Sequence, residues 1–169
     1  MTFVVPFDGT ELAETALVRA MEFARVFEEH VVAVTVIPVG NRTYARQRGW
    51  LESDEPFHLE TVVGRVHERV TRLAPAADFR HETVDERATA GTIAARVKGL
   101  AIDEDAAIVF VGSENAGHLA TSLSSVGSTV AAGDAYDVHI VRQPTPSKVR
   151  AVREQSPYRH ERSDFYLPD

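Results

Sequence analysis

Between Val111 and Val130 the chain reads VGSENAGHLATSLSSVGSTV. An apolar strand runs into Gly112, small residues follow, and hydroxyls gather at Thr121, Ser122, Ser124 and Ser125. Residues of these types in this order suit one task, holding an anion. Glycine reaches φ > 0 and lets backbone N–H groups approach a ligand without a Cβ in the way, and a hydroxyl complements the free amides at a helix start. The charges oppose that use. From Gly112 to Val141 there is no Lys or Arg, Glu114 lies inside the turn, and His118 is the only titratable cation near it. A carboxylate a few Å from a phosphate costs on the order of a few kcal/mol at an effective dielectric near 20, unless Mg²⁺ lies between them.

Other chemistries are excluded by what the chain lacks. There is no G-x4-GK[ST], G-x-G-x-x-G or G-x-S-x-G, so kinases, dehydrogenases and hydrolases of those types are not expected. The seven histidines show no H-E-x-x-H or other tight ligand spacing, and no metal site is expected. Without cysteine there is no disulfide, no thiolate nucleophile and no Cys-based zinc site. A phosphoacceptor domain of similar outline needs an acidic cluster after its first strand, and here there is one Asp, Asp8. The formal charge of -7 argues against nucleic acid, which needs clustered Lys and Arg; of 18 basic residues only Lys98 and Lys148 are lysines. No apolar run approaches the ~20 residues of a membrane helix. MTFVVPFDG has neither a basic n-region nor a long apolar h-region, so a cytoplasmic location is expected.

The elements that must position these residues emerge from periodicity. TFVVPF is a short β-branched strand ended by Pro6. In DGTELAETALVRAMEFARVFEE, Leu12, Ala13, Ala16, Leu17, Ala20, Phe23, Ala24 and Phe27 recur at helical spacing, and Asp8 followed by Glu11 has the form of an N-terminal cap. VVAVTVIPV is apolar at nearly every position, as in a strand covered on both faces. GNRTYARQRGWLESDEP reads as a long loop. A stripe of Leu59, Val62, Val63, Val66, Val70 and Leu73 marks a second helix, and the polar DFRHETVDE an edge strand. Ile93, Val97, Leu100 and Ala101 share a face of a third helix, AAIVFVG is a strand, and Leu119, Leu123, Val126 and Val130 trace another helix. YDVHIVR closes the sheet. Alternating strands and helices imply an α/β fold with a five-stranded parallel sheet sandwiched by helices.

The expected division is one α/β domain over 1–142 and a tail over 143–169. The tail has four prolines and little periodicity, and it carries net charge +1 against -8 for the rest. It is either a mobile extension or, through DFYLPD, a segment that docks on a partner or on the protein's own cleft.

Taken together, VVPFDGTELAETAL, VVAVTVIPV and the run from Gly91 to Arg142 resemble the universal stress protein family, in order and at roughly the family's spacing. The resemblance implies a Rossmann-like, adenine-nucleotide alpha-hydrolase-like domain, usually a dimer. Some members bind ATP and others act without it. In the ATP-binding branch an aspartate just after the first strand contacts the nucleoside, which Asp8 after Pro6 matches, and a valine late in the second strand lies near the adenine, which Val36 matches. The phosphates are held there by G-x2-G-x9-G-[ST]. Gly112 supplies the first glycine, but Asn115 stands at the second position, and Ser124 and Ser125 at the last two once a residue is deleted. Gly127 and Ser128 restore the Gly-Ser pair but make the loop two residues too long.

The resemblance also implies dimerisation through the closing strand, Val138, His139, Ile140 and Val141. Each candidate has a plainer reading: Asp8 as a helix cap, Val36 as core, Gly112 as a strand-end turn. The expected function is a homodimeric stress-response or regulatory binding module with a weakened or lost nucleotide site, not a turnover enzyme, with no cofactor and an unidentified protein partner. The alternatives are an ATP-binding switch with Mg²⁺ and slow hydrolysis, and a binder of a nucleoside or small anion.

Overall fold

A computed structural model describes residues 1–113 and 135–143. The strands are β1 (Thr2–Pro6), β2 (His30–Pro38), β3 (Asp78–Val84), β4 (Ala106–Gly112) and β5 (Asp137–Val141). They form a single sheet in the order β3-β2-β1-β4-β5, with every pairing parallel. The helices are α1 (Glu11–Phe27), α2 (Arg42–Gln47), α3 (Leu59–Leu73) and α4 (Ala90–Asp103). The polar strand is indeed an edge and YDVHIVR the opposite one. The expected loop after β2 contains α2, six residues with only Ala45 buried, too short and too polar to leave an apolar stripe. The helix expected around Leu119–Val130 and the tail beyond Gln143 lie outside the described residues.

Both faces of the sheet are covered, which is why β2 is buried from Val31 to Pro38. On one face Phe3, Val5, Phe7, Ala33, Ile37 and Phe110 meet α1 and the Val62, Val66, Val70 stripe of α3. On the other, Val4, Val32, Val34, Val36 and Val109 meet Leu100 and Ala101 of α4. Toward the sheet α1 presents Ala13, Ala16, Ala20 and Ala24, small side chains that let its backbone come close.

The backbones come close at Gly112. A Cβ there would lie 2.8 Å from Leu12 Cβ and 2.9 Å from the Leu12 carbonyl carbon, so the end of β4 can pass the first turn of α1 only without a side chain. Packing alone thus requires this glycine. Gly112→Ala should destabilise the fold by about 1–3 kcal/mol, seen as a lower urea midpoint by far-UV circular dichroism; an unchanged midpoint would contradict this contact.

On β5, His139 packs tilted against Phe110 at 5.0 Å and edge-on to Phe23 at 5.5 Å between ring centroids. Burial lowers its pKa from the ordinary 6.5, and the charge of Arg19 adds to the effect. The folded state thus favours the neutral ring. Its contribution is complete above pH ~6.5 and is lost as pH falls through the lower folded pKa, because the unfolded chain takes the proton first. Wild-type protein should lose stability between pH 7 and pH 5 more steeply than His139→Phe, measured by urea unfolding at each pH.

Candidate functional site

The C-terminal ends of β1, β2 and β4 lie side by side, where ligands bind in open α/β sheets. Pro6 pairs with Val34, the Phe7 N–H donates to the Val34 carbonyl at 2.8 Å, and Thr35 Oγ1 donates to the Phe7 carbonyl at 2.6 Å. The chain leaving β1 therefore stays tied to β2 until Asp8. Val4 pairs with Val109, and three residues further on β4 ends at Gly112, against Leu12 of α1.

Asp8 is 8% exposed. Its Oδ1 accepts from the Thr10 N–H at 3.0 Å and the Thr10 hydroxyl at 2.7 Å. Thr10, not Asp8, caps α1, its hydroxyl accepting from the Ala13 N–H at 3.4 Å. The cap must immediately precede the first helical residue, Glu11, and Asp8 is two positions too early. It braces the cap instead. Its Oδ2 faces Arg48 Nε at 3.7 Å.

Arg48 arrives from the far side of β2. Asn41 starts α2 by accepting the Tyr44 N–H at 2.9 Å, while its Nδ2 donates to the Glu86 carbonyl at 2.9 Å. After α2 the Trp50 N–H returns to the Ala45 carbonyl at 2.8 Å, and buried Trp50 donates its Nε1–H to the Asp8 carbonyl at 2.7 Å. The Arg48 guanidinium lies over the Tyr44 ring, Cζ 3.3 Å from its centroid. Burial raises the Tyr44 pKa, with Arg48 opposing and Asp8 adding to the shift.

Two arginines of α3 fix this segment. Arg65 donates to the Trp50 carbonyl at 3.1 Å and forks onto Glu55 at 2.5 and 2.7 Å. That hydrogen bonding, with the Glu52 N–H, holds the Glu55 pKa down at about 2. Arg69 donates to the Gly9 carbonyl at 2.9 Å and to Glu14 at 2.6 Å. Gly9 has φ +82°, and a Cβ there would lie 2.7 Å from Arg69 Nη1, so this turn also needs glycine.

Pro6, Asp8, Val36 and Gly112 are thus brought to one end of the sheet, with Val36 packed in the core on the α4 side. Asn115, Ser124 and Ser125, with Glu114 and His118, lie outside the described residues. Of the β5 residues, Val138 is exposed, His139 and Ile140 are half-buried and Val141 is fully buried. Sequence reasoning misses Arg48, Tyr44 and Trp50. The only signal for them is three arginines and two aromatics, one of them the sole tryptophan, gathered in RTYARQRGW. Among the described residues no group of three or more His, Asp or Glu could hold a metal ion. Trp50→Phe keeps a ring in place but leaves the Asp8 carbonyl without its donor. A stability loss of about 1–3 kcal/mol by chemical denaturation is expected, against none if water replaces the indole.

Solved structures similar to this chain include a universal stress protein in complex with cAMP, with TM-score 0.49 and 22% identity over 84% of this chain and 97% of that one. Another is the universal stress protein from Archaeoglobus fulgidus in complex with dAMP, with TM-score 0.41 and 15% identity over 83% of this chain and 95% of that one. No curated protein matches. The family model described as the universal stress protein family matches residues 1–142, and the chain belongs to that family.

Proposed function

We propose that this protein is a regulatory binding module, a cytoplasmic homodimer, whose strand-end cleft takes an adenine nucleoside or nucleoside monophosphate in preference to ATP. The observation that carries this reading is the convergence of Pro6, Asp8, Val36 and Gly112 at the ends of three adjacent parallel strands. Family membership over residues 1–142 supports a nucleotide-type ligand there. The phosphate half is weak by charge and by sequence: Glu114 follows Gly112 by two residues, no Lys or Arg occurs between Gly112 and Val141, and Asn115 and Ser124 stand where the family signature has glycines. Dimerisation uses the backbone edge of β5 and exposed Val138, since Val141 is buried within the chain and His139 packs on Phe110.

Calorimetric titration with adenosine, AMP and ATP·Mg²⁺ tests the reading. Adenosine and AMP should bind, with ATP·Mg²⁺ no tighter than AMP. A marked preference for ATP·Mg²⁺ would favour the ATP switch instead. No heat with any of the three, and an unchanged melting temperature, would move the search for function to the β5 edge and the tail.

A further inference from the structure

Asp8 and Arg48 meet because Trp50 and the α3 arginines fold the α2 segment onto the turn after β1. Thr10 uses one Asp8 oxygen through two hydrogen bonds, and Arg48 Nε stands 3.7 Å from the other. The Asp8 and Arg48 side chains are 12% and 21% exposed, so water screens the pair weakly. Arg48 is held by its stacking on Tyr44 and by one long hydrogen bond from Nη1 to the Tyr44 carbonyl, 3.4 Å. Its Nε is buried and makes no hydrogen bond among the described residues. A guanidinium carries five donors, and this one is under-used beside a carboxylate in the turn after β1.

We propose that Arg48 is an internal competitor for the site. In the ligand-free protein its guanidinium covers the second oxygen of the Asp8 carboxylate, and a ligand hydroxyl or amino group reaches that oxygen only by displacing it. Arg48 then sets the affinity threshold of the cleft. The inference rests on the nucleoside reading above for the class of ligand, but the ion pair itself can be tested without any ligand.

Two measurements decide it. Adenosine titrated into Arg48→Met, which keeps the stem and removes the charge, should bind about tenfold tighter than into wild type, equivalent to about 1.4 kcal/mol; Arg48→Lys should stay near wild type. In urea unfolding, a cycle of Arg48→Met, Asp8→Asn and the double variant should show coupling of about fivefold or more in the folded-to-unfolded ratio. Additive effects in the cycle would overturn the pairing. Equal adenosine affinity in wild type and Arg48→Met would overturn the competition and leave the nucleoside reading intact. Binding only by Arg48→Met would support the competition and show that the wild-type cleft is closed to nucleosides. Binding by neither would overturn both.

Discussion

The candidate site depends on one hydrogen bond, from the Trp50 indole to the Asp8 carbonyl. That carbonyl belongs to a turn. The strand has ended at Pro6, the helix begins at Glu11, and its first intrahelical acceptor is Thr10, whose carbonyl receives the Glu14 N–H at 2.9 Å. A carbonyl so placed beneath buried side chains must find a donor or lose stability. The indole supplies it, and because Trp50 is in the core, the segment that carries it cannot drift. Arg48, two residues earlier, is delivered to Asp8 as a result.

The same segment shows why this acidic chain relies on arginine. Arg65 and Arg69 each meet several acceptors at once: carbonyls of Trp50, Gly9 and Arg48, and the carboxylates of Glu55 and Glu14. A planar fork can serve a carbonyl and a carboxylate together, which a lysine ammonium on a flexible stem does less well. These arginines are spent on architecture. They lie at the strand ends, yet their donors are committed to the protein's own backbone and carboxylates.

Much of the fold is legible in periodicity, because the fold is made of local regularities. β2 shows itself by nearly continuous apolar character, α3 by its valine stripe, and β3 as an edge by its polarity. α2 is not legible that way: its six residues bury one alanine, and the helix is held by Asn41 at its start and by Trp50 beyond its end. Asp8 reads as a cap because its type suits one, but position decides capping, and Thr10 is next to the helix. The site is half legible. Asp8, Val36 and Gly112 sit at strand ends and can be placed, whereas Arg48 reaches Asp8 across about forty residues of chain through tertiary contacts that no spacing encodes. Gly112 is legible as a glycine, but its reason, contact with Leu12, appears only in three dimensions.

The position of Trp50 has an optical consequence. It is the only tryptophan in the chain, it is 1% exposed, and its ring nitrogen is bonded to the residue at the centre of the site, with Tyr44 edge-on at 5.5 Å. The near-ultraviolet emission of this protein is therefore a local spectrum, dominated by one indole at the turn after β1. Its wavelength and quenching report on the hydrogen bond to the Asp8 carbonyl and on the packing around the indole.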